Sequence, residues 1–387
     1  MSLFRFELRK LLFNKKTLLL LVCLFVLYSA VGLTSTMFLI GGNDSYRAYE
    51  ELAAGWEGPF DSEKAAKAEK IYQEVSARYG TDAQMISRSV KDQPEIILAV
   101  NYHAYAGRVE EYWNGTPPES AEDPYGISLL QGKLAELESQ GKQDASDYRE
   151  LSAALERLEE LGEPEFANAL LWENLFNNWG EHMVQFLLFV PLTFVIAPVF
   201  AVERSSGMDN LILSSWNGRR KIVTAKLYLA ATFLFGFLPH GSFRGWDAAI
   251  QSIPTYARSM FPWTVWQLAA VGAAWLIFTG AVYSLMICFI SSRMKSQMST
   301  AGVSLAILFV NVGLAAMGDT VTQRLEAFVD FGLANVTLMK EVFGGYKVFR
   351  VFGMYVGYPA MAVFILTLFA VFAVWGIYRG QEGRTAA

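Results

Sequence analysis

The stretch Trp266–Ile290 reads W-Q-L-A-A-V-G-A-A-W-L-I-F-T-G-A-V-Y-S-L-M-I-C-F-I and contains no Asp, Glu, Lys or Arg. A bilayer core of about 30 Å needs about 20 apolar helical residues, because lipid offers no partner to bare backbone groups. The stretch 266–290 therefore predicts a transmembrane helix. Hydrophobic residues make up 53% of the 387 residues and charged residues 18%, which also favours a membrane protein.

Five other segments predict membrane spans. Residues 17–40, 183–202, 298–317 and 356–377 likewise lack charged side chains. The segment 222–238 is shorter and contains Lys226 near its start, where a long side chain can reach the membrane interface. We therefore predict an all-α, polytopic membrane protein with six transmembrane helices.

The distribution of Lys and Arg predicts the orientation, because cytoplasmic loops hold an excess of them. The segments 1–16, 203–221, 291–297 and 378–387 hold 13 bases in 52 residues, whereas 239–265 and 318–355 hold 6 in 65. We expect a multi-pass protein of the plasma membrane with both termini in the cytoplasm. A cleaved signal peptide is the alternative at the N-terminus, but the apolar run is longer than usual and no clear cleavage site ends it.

Residues 41–182 form a large polar insert between the first two predicted spans. The insert carries 28 acids and 12 bases, although the net charge of the whole chain is −5. Leu134, Leu151, Leu155 and Leu158 recur near helical spacing among charged neighbours, which predicts an antiparallel helical hairpin. We expect a helical extracytoplasmic domain whose leucines serve packing.

Several kinds of catalytic chemistry are missing from the sequence. It contains no G-x-x-x-x-G-K-[ST] loop for nucleotide phosphates, no H-E-x-x-H metal motif and no G-x-S-x-G nucleophile motif. Cys23 and Cys288 lie within apolar runs, which argues against a disulfide framework. We expect no enzyme activity, cofactor, metal ion or nucleic-acid partner.

The N-terminal segment 1–16 predicts an amphipathic helix on the inner membrane surface. Leu3, Phe4 and Leu8 can share one face, with Arg5 and Arg9 on the other. A simple positive anchor that sets the topology is the alternative interpretation.

The predicted cytoplasmic loop 203–221 contains an apolar patch bounded by charges. Glu203 and Gly207 precede Leu211 and Leu213, and the chain then turns at 217–218 into Arg219. A loop that served only as a connector would not need this patch, so we interpret the loop as a docking element.

Together these two elements resemble the type 2 ABC exporter permease family. The family has an N-terminal E-x-x-K-like interfacial helix, matched by Glu7 and Lys10, and a loop of the form E-x-x-x-G-(x)n-L-L-x-(x)n-R-x-x-(x)n-K between spans two and three. Its residues here are Glu203, Gly207, Leu211, Leu213, Arg219 and Lys226. The Asn217-Gly218 turn departs from the usual pattern, and so does the large insert 41–182, which resembles a subset of Gram-positive bacterial permeases and so implies a bacterial protein.

The resemblance implies a half-transporter without an ATPase site of its own. A separate P-loop ATPase subunit would dock on the matching residues, and a second copy or a related permease would complete an export path for an amphipathic substrate. Two alternatives remain: a membrane sensor, and an envelope-assembly scaffold that acts through residues 41–182. The ten residues 378–387 offer a sensor no output domain.

Overall fold

A computed structural model describes residues 15, 19, 43–81, 86, 89–110, 127–143, 146–179, 182–207, 244–316, 329–345, 347–352 and 354–382. Of the predicted elements, the interfacial helix 1–16 and the span 17–40, apart from residues 15 and 19, lie outside these residues, as do the span 222–238 and most of the loop 203–221. The described part is mainly helical.

The described part of the insert includes the helices α1 (Asn43–Ala53), α2 (Ser62–Tyr79), α3 (Pro94–Arg108), α4 (Ile127–Ser139), α5 (Ser146–Leu161) and α6 (Leu170–Trp179). Helix α2 begins after Asp61, whose side chain accepts hydrogen bonds from the first turn, and α3 begins with Pro94. Tyr102 on α3 packs against Trp56 and Phe166. Aromatic contacts therefore join α3 to both ends of the insert.

Helices α4 and α5 form the hairpin that the leucine spacing predicts. Near the turn, the Tyr148 hydroxyl donates to Glu138 Oε1 at 2.6 Å. At the other end Leu130 and Leu158 are buried together with Met260, which belongs to a later segment of the chain. The hairpin thus also rests on the segment that precedes the stretch 266–290.

Among the described residues, three helices are long and apolar enough to cross a membrane: α9 (Val265–Arg293), α10 (Gln297–Ala316) and α13 (Tyr358–Glu382). The 29 residues of α9 extend over about 44 Å at 1.5 Å per residue. These helices overlap the predicted spans 266–290, 298–317 and 356–377, and α13 starts two residues later because the chain is a strand up to Gly357.

The predicted span 183–202 lies across two helices, α7 (His182–Ile196) and α8 (Pro198–Ser205). The two helices meet at Ala197, directly before Pro198; Ala197 keeps helical backbone angles (φ −51°, ψ −37°) and donates to the Thr193 carbonyl, so only the hydrogen bonding of the next turn changes. Proline has no N–H and its ring clashes with the preceding turn, so it begins helices more readily than it continues them. Neither piece alone is as long as a bilayer-spanning helix.

The apolar helices pack around α9, and their directions alternate. Thr193 of α7 contacts Tyr283 of α9, and Arg204 further along contacts Ser292, so the α7–α8 pair runs parallel to α9. Helix α13 is also parallel to α9: its start packs near Val265 and its end near Arg293. Helix α10 follows α9 through a short turn and runs in the opposite direction.

The described chain is mainly helical, as predicted, but it also contains one short β-hairpin that the sequence analysis did not predict. Strands β1 (Val348–Val351) and β2 (Met354–Gly357) form an antiparallel hairpin in which Val348 pairs with Gly357. Branched and aromatic side chains on both sides of a two-residue turn favour strands, and Phe352 at the turn has φ +49°. Before it lie two short helices, α11 (Leu333–Val336) and α12 (Met339–Phe343).

Candidate functional site

The apolar helices have two different ends. The basic end carries Arg204, Arg293, Lys295 and Arg379. At the opposite end, which we call the cap end, α6 packs against the segments 244–264 and 329–357. All three cap-end regions belong to the segments that the charge distribution predicts to be extracytoplasmic.

Two of the seven predicted docking residues lie within the described chain, both at the basic end. Glu203 is in the last turn of α8 and Gly207 follows that helix. Glu7, Lys10, Leu211, Leu213 and Arg219 lie outside the described residues.

Gly207 lies where helix α8 ends. Its φ is +71°, a conformation that side-chain-bearing residues rarely adopt, and its N–H donates to the Arg204 carbonyl. A side chain added here would meet open space. The backbone turn therefore accounts for a glycine at this position without any contact to a partner.

Glu203 is buried, with 7% of its surface exposed. Carboxylates are seldom buried unless they are paired or hydrogen-bonded, because desolvation of the charge is costly. The position thus differs from that of a freely solvated loop acid.

The break between α7 and α8 is bridged by Ser291 of α9. The Ser291 hydroxyl donates to the Ala197 carbonyl at 2.8 Å and accepts from the N–H groups of Phe200 at 3.2 Å and Ala201 at 3.0 Å. These three bonds use the full capacity of a hydroxyl. In a membrane, freed backbone groups at a helix break need such a partner.

Arg204 provides a second attachment of α8. Its Nη1 donates to the Ser292 carbonyl at 2.8 Å and to the Met294 carbonyl at 3.3 Å. Both carbonyls lie at the end of α9, where the chain turns into α10. Ser291 and Arg204 therefore hold α8 to the α9–α10 turn over its whole length.

A third polar contact joins α7 to α9 in the apolar interior. The hydroxyl oxygens of Thr193 and Tyr283 are 2.8 Å apart, and both side chains are buried. Thr193 also bonds to the Phe189 carbonyl, and the Phe189 ring packs edge-on against Tyr283. This contact keeps α7 in register with α9.

Sequence reasoning missed Ser291, Arg204, Thr193 and Tyr283 as connecting residues. The sequence feature that could have indicated them is Pro198 inside an apolar span. A break there requires polar groups from a neighbouring helix. Which helix would supply those groups could not be read from the sequence.

At the cap end, an aromatic cluster closes the helices. The Trp275 indole N–H donates to the Val336 carbonyl at 2.7 Å, and its ring packs against Phe343. The Ser259 hydroxyl donates to the Phe343 carbonyl at 2.7 Å. These contacts tie the two cap segments to each other and to α9.

The insert joins the cap through Arg244. The Arg244 guanidinium donates to the Glu50 carbonyl at 2.6 Å and lies 3.6 Å from the Glu57 carboxylate. A side chain at Gly245 would come within 2.5 Å of the Asn168 carbonyl. Glycine at 245 therefore permits the close approach of the insert and the cap.

A cavity of about 50 Å³ lies at this junction. Polar side chains in its lining belong to Tyr49, Asn101, Arg108, Glu173 and Ser252. Burial raises the pKa of Glu173, and the nearby Arg108 opposes that shift. The space suits a few water molecules.

Within the described ranges, no group of three or more His, Cys, Asp or Glu side chains could hold a metal ion. No protein-family model matches the sequence, and no curated protein or solved structure is significantly similar to the chain. The class of protein defined by the fold is therefore a helical protein with at least three helices suited to a bilayer.

Proposed function

We propose that this chain is the transmembrane permease subunit of an ATP-binding cassette exporter of the type 2 kind. A separate P-loop ATPase subunit hydrolyses ATP, and a second copy or a related permease completes the export path. The substrate is amphipathic: a peptide, a drug or a lipid-like molecule.

The observation that carries this proposal is the attachment of α8 to the α9–α10 turn. Helix α8 leads directly into the predicted docking loop 203–221, and Ser291 and Arg204 join it to the neighbouring helices. A partner that displaced the loop would displace α8, and the bonds would carry the movement to α9. A connector without a mechanical role would not need a separate, doubly attached helix.

The helix directions support six spans. Helices α7–α8, α9 and α13 run from the cap end to the basic end, whereas α10 runs in the opposite direction. In a six-span protein, spans two, four and six share one direction and span five has the other. We place the basic end in the cytoplasm of a bacterial cell, following the distribution of Lys and Arg. The cap and the insert then lie outside the plasma membrane, with both termini inside.

In this mechanism the break at Ala197 acts as a hinge. ATP binding and hydrolysis move the ATPase subunits, and the docked loop moves α8 with them as a rigid piece. Ser291 holds the freed backbone groups during the movement, so that no polar group is left bare in lipid. The helices then separate at the cap end to release the substrate.

The test is co-purification of the full-length chain from its native membrane with any P-loop ATPase. We expect Leu211→Asp combined with Leu213→Asp to abolish co-purification while the protein stays in the membrane. Leu52→Asp, at a leucine of the insert that is 43% exposed, is the matched control and should retain the ATPase. Equal retention by both variants would contradict the docking role, and a chain that transports without any ATPase would contradict the function.

A further inference from the structure

Two arginines lie at the basic end of α9 and α13, and one of them contacts the turn of α13 that carries the other. Arg293 is the last residue of α9, and its Nη2 donates to the Gly376 carbonyl of α13 at 3.0 Å. Arg379 is one turn further along α13. Both side chains are exposed, and neither pairs with a carboxylate of the described residues.

Two glycines one helical turn apart bring the arginines together. A Cβ at Gly376 would lie 2.6 Å from the Phe289 ring, and one at Gly380 would lie 3.3 Å from the Arg293 guanidinium. The absence of both side chains lets α9 approach α13 closely, as small residues do between membrane helices. The Arg293 guanidinium thus lies against the same turn of α13 that carries Arg379.

An aromatic surface connects the two guanidiniums. Arg293 lies over the Phe289 ring at 5.2 Å, and Arg379 lies over the Trp375 ring at 5.0 Å. Phe372 lies between these rings, 6.2 Å from Phe289 and 6.0 Å from Trp375. The Phe372 and Trp375 side chains are 57% and 51% exposed, so an apolar surface adjoins a pair of positive charges.

We propose that this surface binds one anionic phospholipid. The phosphate accepts hydrogen bonds from Arg293 and Arg379, and the acyl chains lie along Phe289, Phe372 and Trp375. Guanidinium groups match phosphate oxygens in geometry and charge, and basic sites between membrane helices suit anionic headgroups. The aromatic rings hold the guanidinium planes in place, so little side-chain entropy is lost on binding.

This site rests on α9 and α13 crossing the membrane, which is part of the proposed function, but it does not depend on the ATPase. It would anchor α13 to α9 through the lipid at the end where α8 is attached. An anionic lipid would therefore stabilise the helix pair, whereas a zwitterionic lipid would do so less.

The experiment measures thermal unfolding of the purified full-length protein in neutral detergent micelles. Phosphatidylglycerol, phosphatidylcholine of the same acyl chains, and inorganic phosphate are titrated separately. We expect phosphatidylglycerol to raise the midpoint at concentrations where the other two have little effect. Native mass spectrometry should show one retained phosphatidylglycerol per chain.

Arg379→Gln is the cleanest variant, because Arg379 makes no hydrogen bond to the described backbone or side chains. We expect about fivefold weaker phosphatidylglycerol binding for each arginine replaced, and about 25-fold for Arg293→Gln with Arg379→Gln, since each base near the headgroups contributes about equally. Arg78→Gln is the control, because Arg78 lies over Tyr79 in the insert at 5.3 Å. The Arg78→Gln variant should bind phosphatidylglycerol as tightly as the parent protein.

Three results would overturn the lipid site. Equal effects of the two lipids would remove the role of the headgroup charge, and an equal effect of inorganic phosphate would indicate a site for free anions. Cross-linking between two chains through Phe372→Cys, undiminished by added phosphatidylglycerol, would assign the surface to a second copy. If the chain did not cross the membrane at all, surface labelling would show it independently of these titrations.

Discussion

The Ser291 hydroxyl donates to the Ala197 carbonyl at 2.8 Å, inside the break that separates α7 from α8. A side chain of one apolar helix thereby completes the backbone hydrogen bonding of another. This relationship makes the position of α8 dependent on α9. A displaced α8 must either carry α9 with it or lose its hydrogen bonds to Ser291.

We expect Ser291→Ala to destabilise the protein by about 1–3 kcal/mol, because buried backbone groups lose a hydrogen-bonding partner. The midpoint of thermal unfolding in detergent should fall. Ser299→Ala, at an exposed position of α10, is the control and should leave the midpoint unchanged. Equal stability of the two variants would show that the backbone at the break is satisfied in another way.

Replacement of Gly376 should separate α9 from α13. In Gly376→Ala the new methyl group would lie 2.6 Å from the Phe289 ring, and we expect a loss of about 1–3 kcal/mol from overpacking. Gly302→Ala in α10 adds the same methyl group where no atom lies within 4 Å. That control should be neutral or slightly stabilising, since alanine favours helices. A double substitution Gly376→Ala with Phe289→Ala should recover part of the loss.

The topology predicts opposite labelling of two serines. In a background with Cys23→Ser and Cys288→Ala, Ser139→Cys at the end of α4 should react with a membrane-impermeant maleimide on intact cells. Ser205→Cys at the end of α8 should react only after permeabilisation. Both positions are exposed, so access to the reagent depends on the side of the membrane. The reverse pattern would place the insert in the cytoplasm.

Glu173 should make the stability of the insert–cap junction depend on pH. Burial raises the pKa of Glu173 above its ordinary value of 4.5, so the folded protein holds this proton more tightly than the unfolded chain. The contribution is favourable below the unfolded pKa and is lost as the pH rises through the folded pKa. The nearby Arg108 opposes the increase in the pKa of Glu173, so it narrows the pH range over which this contribution is lost.

Glu173→Gln should remove this loss and raise stability at neutral pH relative to the parent protein. The measurement is the thermal midpoint of the full-length protein between pH 4 and pH 8. Glu74→Gln, at an exposed acid of α2, controls for the change in net charge. An unchanged pH profile in Glu173→Gln would show that another group determines it.

The sequence by itself determined where the long apolar helices lie. A run of about 20 uncharged residues has few stable alternatives to a membrane helix, and the predicted stretches 266–290, 298–317 and 356–377 match α9, α10 and α13 within a few residues. The helical insert could also be predicted, because leucine spacing and proline positions are local signals. The spans 17–40, 183–202 and 222–238, and the role of the seven docking residues, stay predictions.

The tertiary structure alone decided how these elements meet. Pro198 signals a break, but the choice of Ser291 as its partner depends on the packing of α8 against α9. The closeness of Arg293 to Gly380 likewise depends on contacts between residues far apart in the sequence. The β-hairpin 348–357 escaped prediction because its strands are only four residues each, too short for a periodic pattern to outweigh the adjoining apolar span. Local sequence sets which segments can enter a bilayer, whereas hydrogen bonds and close contacts between distant segments set their arrangement.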